Sequence, residues 1–394
     1  TVSHELRTPL YGIIGNLDLL QTKELPKGVD RLVTAMNNSS SLLLKIISDI
    51  LDFSKIESEQ LKIEPREFSP REVMNHISAN YLPLVVRKHL GLYCFIEPDV
   101  PQLMSGDPMR LQQVISNLLS NAIKFTDTGC IVLHVERADD YLRISVRDTG
   151  EGIPAKEVLR LFDPFFQVGT GVQRNFQGTG LGLAICEKLI SMMDGDIAVE
   201  TEPGMGSRFT IRIPLYGVQN TPPLNIDGLA EKCCWLAIDN SSLAVFVEQL
   251  LTFHGVPVRR FDGQTPGAED ILLTDSETHE AWAGCAMVIF SRRHIGIPQE
   301  RVPGEWLHSV ATPHELLPLL GRIFHIAVAS ADNGPALAAA DAQNASNDDM
   351  MILVVDDHPI NRRLLADQLG SLGYQCVTAN DGVDALNVLS KQHI

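Results

Sequence analysis

The sequence predicts a multidomain α/β protein. It begins with an α-helical hairpin, continues through an α/β sandwich and a smaller α/β insert, and finishes in the first part of a third α/β sheet. Three observations carry that reading. Apolar residues at Leu32, Met36, Leu43, Ile46, Ile50 and Phe53, with Ser39 as the single polar position, step alternately by four and three, as a heptad seam does. Strand-like and helix-like runs alternate from 61 to 217 and again from 233 to about 325. From Ala329 to Asp349 the chain holds eight Ala with Ser, Asn, Asp and Gly and no Lys or Arg, an acidic tether, before a fresh apolar strand at Met351–Val355.

Composition narrows the function. At roughly 150 residues per domain, 394 residues make two or three domains, more if some are small. Apolar residues reach 44% and charged residues 21%, so cores can form and global disorder is excluded. Thirty-two basic residues face 49 acidic ones, a formal net charge of −17 that suits neither nucleic acid nor an anionic membrane. Seven cysteines, an odd number without a CxxC pair, fit a reduced cytosolic setting better than a disulfide framework or a zinc site. There is no run of about 18 apolar residues and no signal peptide. The chain starts at Thr1 inside a motif and stops at Ile394 in mid-domain, and so reads as a fragment.

Taken in order, residues 1–60 form the hairpin. Leu10, Ile13, Ile14, Leu17 and Leu20 share one helical face, and Pro26 and Gly28 break the chain before the heptad helix. Two such helices cannot bury both apolar faces alone, so a second copy completing a four-helix bundle is the economical solution; packing on the next domain is the alternative. Residues 61–217 carry strand-like runs at Cys130–Glu136, Leu142–Arg147, Ile197–Thr201 and Arg208–Pro214, and helices at Pro70–Tyr81, Arg110–Phe125 and Leu181–Met193. Residues 227–327 form the insert, with strands at Cys234–Ile238, Val256–Phe261, Ile271–Thr274 and Met287–Phe290 and helices at Ser242–His254 and His314–Ile323. Residues 328–349 link it to the final segment, 350–394.

The chemistry begins at Ser3-His4-Glu5-Leu6-Arg7-Thr8-Pro9. Imidazole keeps a lone pair at neutral pH, and an adjoining carboxylate can orient the ring and take its proton, so His4 with Glu5 is a candidate nucleophile with its base. Thr8 lies four residues on, on the same helical face, and can hold a water. On the helix Arg110–Phe125, Gln113, Asn117, Asn121 and Lys124 form a polar stripe. Amide oxygens suit a hard cation shared with phosphates and Lys124 adds a point charge for a phosphate, although an ordinary amphipathic helix has the same pattern. Asp148-Thr149-Gly150-Glu151-Gly152 follows a strand. Its carboxylate can accept from an exocyclic amine while Gly150 and Gly152 let backbone approach a flat base; alone, the string is equally a turn. Gly178-Thr179-Gly180-Leu181-Gly182 runs into a helix and presents N–H groups to phosphate. Between these lie Phe162 and a polar stretch through Arg174 that reads as a lid.

The order of these motifs resembles the histidine-kinase family: an H-box at His4, an N-box from Asn117 to Thr126, a G1 box at Asp148, an F-box at Phe162, a G2 box at Gly178–Gly182 and the final hairpin string Gly204-Met205-Gly206-Ser207-Arg208-Phe209. The resemblance covers residues 1 to about 217. It implies a dimerisation hairpin and an α/β-sandwich Bergerat ATP-binding domain, with ATP and Mg²⁺ as cofactors. It makes His4 the phosphoacceptor, Glu5 its base and Thr8 a helper in phosphatase action. Asn121 would hold Mg²⁺, Asn117 and Lys124 would lie near the phosphates, Asp148 would read adenine, and Phe162, Arg174, Gly178, Thr179, Gly180, Leu181 and Gly182 would line the nucleotide site. Met351–Asn361 resembles the start of a truncated flavodoxin-like receiver, in which Asp356 and Asp357 would hold Mg²⁺. The insert resembles a degenerate receiver, with Asp239-Asn240 and Asp275 after strands and Thr312 in the place of a lysine, and reads as an interaction or spacer module.

The whole is therefore similar to a hybrid sensor kinase. The implied partners are a second copy of the chain, its own incomplete receiver, a histidine-phosphotransfer protein and a downstream response regulator, with no direct nucleic acid. The implied location is the cytoplasmic portion of a membrane protein. Rival expectations are an ATPase clamp of the gyrase or chaperone kind and a nucleotide-binding scaffold without catalysis.

Overall fold

A computed structural model describes residues 10, 12–17, 19–20, 28–167, 179–220, 229, 232–262, 264, 266–267, 269–276, 285–292, 298–324, 351–356, 362–363, 365–366, 369–370 and 374–390. The chain forms two compact units, Thr1–Gln60 with Gly334–Ile394, and Leu61–Asn333.

In the first unit, helix α1 runs over Val29–Glu57 and starts at Gly28, whose φ of 103° suits glycine. Asp30 in its first turn and Lys55 in its last complement the helix dipole. Val33 and Ile56 are its buried residues, whereas the heptad seam faces water: Leu32 is 65% and Met36 57% exposed, with Leu43 and Ile50 exposed as well. In the preceding helical stretch Leu10 and Leu17 are buried but Ile13 and Leu20 are exposed, so the hairpin leaves apolar surface on both helices.

The second unit begins with a lobe built from β1 (Arg66–Phe68), α2 (Pro70–Arg87), β2 (Gly91–Ile96), β3 (Leu103–Gly106), α3 (Pro108–Phe125), β4 (Cys130–Ala138), β5 (Tyr141–Asp148), the short α4 (Ala155–Val158), α5 (Gly182–Met192), β6 (Asp196–Glu202), β7 (Gly206–Pro214) and β8 (Tyr216–Gln219). The five-stranded sheet has the order β2-β4-β5-β7-β6, with β2 and β4 parallel and the other neighbours antiparallel. A small sheet, β1-β3-β8, lies apart. Helices α2 and α3 start from side-chain caps, Ser69 Oγ accepting from Glu72 N at 3.3 Å and Asp107 Oδ1 from Arg110 N at 3.1 Å, with proline in each first turn. Alternation on β5 sends Leu142, Ile144, Val146 and Asp148 inward. Against them pack Leu111, Val114, Ile115, Leu118 and Leu119 of α3, the apolar side expected from the sequence.

Strand β2 breaks the alternation: all six of its residues are buried. Its second face is covered by the insert. That domain comprises β9 (Cys234–Ala237), α6 (Ser241–Phe253), β10 (Val258–Arg260), β11 (Ile271–Thr274), β12 (Ala286–Ser291), β13 (Gln299–Val302), β14 (Glu305–Ser309), a 3₁₀ turn (Pro313–Glu315) and α7 (Leu316–Ile323). Its sheet has the order β10-β9-β11-β12-β14-β13, parallel throughout except for the antiparallel edge β13. Tyr93 and Phe95 of β2 share one core with Leu236, Phe246, Val288 and Leu316 of the insert. Phe95 stacks on Phe246 at 5.0 Å, and the Arg292 guanidinium lies 5.7 Å from the Tyr93 ring. The buried His314 donates from Nε2 to Asn75 Oδ1 of α2 at 2.7 Å.

In the final segment β15 (Met351–Val355) and β16 (Gln375–Ala379) pair in parallel, and Asp381 caps α8 (Gly382–Leu389) by accepting from Asp384 N at 2.8 Å.

Two predictions follow from this packing. Leu43→Lys, placed in the exposed seam, should convert the chain to a monomer in sedimentation while the melting of the 61–333 unit stays unchanged. The second concerns His314, which burial and then the positive charge of Arg71 hold well below the ordinary value of 6.5, with His308 adding to the same shift. The nearby Cys94 thiol is neutral, pushed up to about 12 by burial, and Glu315 is the acidic neighbour. The folded unit therefore binds fewer protons at this site than the unfolded chain. Its stability is complete above pH 6.5 and falls below it, by up to about 1.4 kcal/mol per pH unit. Urea midpoints between pH 7 and 5.5 should show this fall, and His314→Asn should reduce it, leaving the part that His254, also lowered by burial and by Arg71, contributes.

Candidate functional site: the rim of the α/β lobe

The rim lies where β5 ends, where α3 presents its polar stripe and where α5 begins. Asp148 is the last residue of β5 and is 6% exposed. Its Oδ1 accepts from Gly150 N at 2.8 Å and from Ser207 N at 3.2 Å. Burial pushes the carboxyl above its ordinary value, and the two N–H groups pull it back. Both bonds fall on Oδ1, which leaves Oδ2 to a ligand's amine.

The loop after Asp148 is held from below. Thr201 Oγ1 accepts from Ile153 N at 2.9 Å, lies 3.1 Å from Gly206 O and 2.9 Å from Ser207 Oγ. Thr149 Oγ1 accepts from Cys130 N at 3.1 Å and so ties the loop to β4. Gly152 (φ 67°) and Gly206 (φ 92°) are obligatory: a Cβ on the first would strike Glu202 O, and one on the second Asp148 O. Sequence reasoning missed Thr201 and Ser207. The available signal was the string Gly204–Phe209, which places Ser207 directly after the left-handed Gly206.

On α3 the residues Gln113, Asn117, Asn121 and Lys124 are all half-buried on one side, as the spacing required. Gln113 Oε1 accepts from Arg110 Nη1 at 3.0 Å, and Lys124 Nζ sits 4.9 Å from the Phe125 ring. Asn117 is engaged by the protein: its Nδ2 donates to Gly182 O at 3.0 Å, and a Cβ on Gly182 would meet this amide at 3.1 Å. It therefore joins α3 to the first residue of α5. At that helix start Thr179 Oγ1 accepts from Leu181 N at 3.1 Å, Leu181 is fully buried, and Gly180 (φ 70°) accepts from Phe165 N at 3.0 Å. Phe165 itself has φ 64°, a strained conformation for an aromatic residue, and is 66% exposed. Phe162 is half-buried, and the Arg160 guanidinium lies 4.6 Å from the Phe166 ring.

The structure thus brings together Asn117, Asn121, Lys124, Asp148, Gly150, Gly152, Phe162, Thr179, Gly180, Leu181 and Gly182 in one lobe. His4, Glu5, Thr8, Arg174, Gly178 and Asp357 lie outside the described residues. Asp356 is half-buried after β15; its N–H donates to Ala379 O at 3.3 Å and its carbonyl accepts from Arg362 Nη1 at 2.7 Å.

A buried carboxylate beside a glycine-bounded loop, with an amide-lined helix opposite, defines an ATPase lobe of the type that histidine kinases share with gyrase and chaperones, and family comparison gives the same class. Residues 106–217 match the histidine kinase-, DNA gyrase B- and HSP90-like ATPase model, and residues 1–59 match the His Kinase A phospho-acceptor domain. Residues 234–324 match the RcsC Alpha-Beta-Loop model. The chain is therefore similar to the sensor histidine kinases. It is 77% identical over all 394 residues to the sensor histidine kinase RcsC of Escherichia coli K12, and 33% identical over 433 aligned residues, 99% of the chain, to the sensor protein GacS of Pseudomonas syringae. It spans 42% and 46% of the lengths of those two relatives. The crystal structure of full-length ShkA in complex with AMPPNP shares the fold at a TM-score of 0.65 and 23% identity, covering 99% of this chain and 83% of that one. Among the described residues no helix is long and apolar enough to cross a membrane.

The support beneath the loop is testable. Thr201→Val keeps the shape but leaves Ile153 N without its acceptor, and should cost about 1–3 kcal/mol in denaturant unfolding. Nucleotide affinity should fall with it.

Proposed function

We propose that this chain is the kinase core of a hybrid sensor protein and that, as a dimer, it transfers the γ-phosphoryl group of ATP to His4. The observation that carries the reading is the Asp148 carboxylate, buried with one oxygen held by two backbone N–H groups and the other available to the exocyclic amine of adenine. The donor set fits the nucleotide. Gly150 and Gly152 let the loop pack on the carbonyls of Phe125 and Glu202 and so keep Asp148 in place, and Gly178, Thr179, Gly180, Leu181 and Gly182 lead into the N-terminus of α5, where N–H groups meet phosphate. Lys124 supplies a charge for the phosphates, Asn117 acts through its bond to Gly182 as a positioning residue, and Phe162 and Arg174 bound the lid. Mg²⁺ held by Asn121 would neutralise phosphate charge.

In the reaction an imidazole nitrogen of His4 forms the N–P bond as the bond from γ-phosphorus to the ADP oxygen breaks, and Glu5 takes the proton from the ring's other nitrogen. Thr8 would position a water for the reverse, hydrolytic reaction. The phosphoramidate then passes to the aspartate of a receiver whose Mg²⁺ site would include Asp356 and Asp357, and onward through a histidine-phosphotransfer protein to a response regulator. The parent protein would sit in the bacterial inner membrane. Residues 1–60, 61–217, 227–327, 328–349 and 350–394 are the corresponding domains.

Incubation with γ-labelled ATP and Mg²⁺ should give an acid-labile, base-stable label that is lost in His4→Gln and in Asn121→Ala. Label retained in His4→Gln would refute the assignment. Asp148→Asn should weaken binding of an ATP analogue about 10- to 100-fold, the equivalent of one charge-assisted hydrogen bond, as measured by titration calorimetry.

A further inference from the structure

Numbered along the insert's own chain, its parallel strands lie in the order 2-1-3-4-5. Sheets of that order bind ligands in the crevice beyond the carboxyl ends of the strands, at the switch point between the first and third, which here are β9 and β11. The chain itself fills that crevice. Asp275, one residue beyond β11, accepts from Asp239 N at 2.8 Å through Oδ1 and from Asn240 N at 2.9 Å through Oδ2. Asn240 in turn caps α6, its Oδ1 accepting from Leu243 N at 3.0 Å. Thr274, wholly buried, accepts from Ser276 N at 3.1 Å and fixes the other side of the loop. The carboxylate best placed to meet a ligand is thus bonded through both oxygens to the backbone that would have to open for one.

The opposite situation holds on the face carrying α6 and the 3₁₀ turn. Strand β2 is the edge of the lobe's sheet, and its outward face carries Tyr93 and Phe95, which without a cover would form an apolar patch in water. Here Phe246 stacks on Phe95, Arg292 lies over Tyr93, and His314 bonds to Asn75. Three contacts of different chemistry, from three separate elements of the insert, converge on one strand and its neighbouring helix. We propose that residues 234–324 form a parallel-sheet domain whose ligand crevice is sealed and whose opposite face is the permanent intrachain partner of the ATPase lobe, covering the outward face of edge strand β2 and its neighbouring helix through Phe246, Arg292 and His314.

Hydrogen exchange on the whole 394-residue chain tests this. In the unaltered chain those amides of Gly91–Ile96 that bond to β4 should exchange about as slowly as those of the central strand β5. Phe95→Ser, which removes the stacked ring from the lobe side, should speed β2 exchange at least about tenfold and leave β5 and β11 unchanged. Asn75→Ala, which removes only the acceptor for His314, should speed it by a smaller factor. If Phe95→Ser loosens β5 as well, Asn75→Ala decides: faster exchange in β2 with β5 unchanged supports the cap. Unchanged β2 exchange in both variants overturns it, as does an unaltered chain in which β2 already exchanges like an open edge. Acetyl phosphate with Mg²⁺ should leave Asp275 unmodified by mass spectrometry, and stoichiometric phosphorylation there would overturn the sealed crevice.

Discussion

One buried carboxylate organises the rim of the ATPase lobe. Withdrawing Asp148 from water carries a desolvation cost of several kcal/mol for an ionised group, and the N–H groups of Gly150 and Ser207 offset it. Those two bonds also fix the architecture, since one runs to the loop after β5 and the other to the start of β7. The close approach leaves no room for a Cβ at Gly206, whose backbone packs on the carbonyl of Asp148, and Thr201 then closes the arrangement from β6. The open carboxylate oxygen, the glycines and the hydroxyl support are consequences of a single requirement: the carboxylate must be dry, oriented and only half satisfied by the protein.

That requirement explains why the loop at Asp148 was legible in the sequence. Asp148, Gly150 and Gly152 are close in the chain and are constrained locally, so residue type and spacing suffice. Ser207 and Thr201 contribute a backbone N–H and a supporting hydroxyl from strands some fifty residues away, and neither role leaves a mark on residue identity. Asn117 is a different case. Its place on the polar stripe is as expected, but whether an amide on that stripe meets a ligand or a neighbouring carbonyl depends on where α5 starts, which no pattern within α3 encodes.

The fold shows the same division. The strands of the lobe with one buried face, β4, β5 and β7, alternate and were readable. Strand β2, Gly-Leu-Tyr-Cys-Phe-Ile, was not read as a strand, because two different domains bury its two faces and the period-two signal vanishes. Within the insert, β13 and β14 were also missed. They are short, and the exposed residues of β13 give no hydrophobic pattern. The segment read as one helix from His314 to Ile323 is a 3₁₀ turn followed by α7, because Pro313 sets the first turn and His314 turns inward to Asn75 instead of continuing the regular face.

The distribution of apolar groups left in water separates finished contacts from unfinished ones. The aromatic face of β2 is already covered, so the lobe's sheet has helices on one side and, over β2 and part of β4, the insert on the other, while the outward residues of β5 stay in water. What stays exposed lies elsewhere. Leu159 is 90% exposed just after α4, Phe165 stands out on strained backbone beside Gly180, and the α1 seam presents Leu32, Met36, Leu43 and Ile50. Exposed leucines scattered singly need no explanation, but a heptad stripe along a 29-residue helix does, since such a helix gains most of its stability from packing that stripe. Folding of the single chain therefore closes the lobe and its insert and leaves the hairpin incomplete. Among the described residues the α1 seam is the apolar stripe left open, and pairing of the phospho-acceptor helices with those of a second copy is the step that would remove it from water.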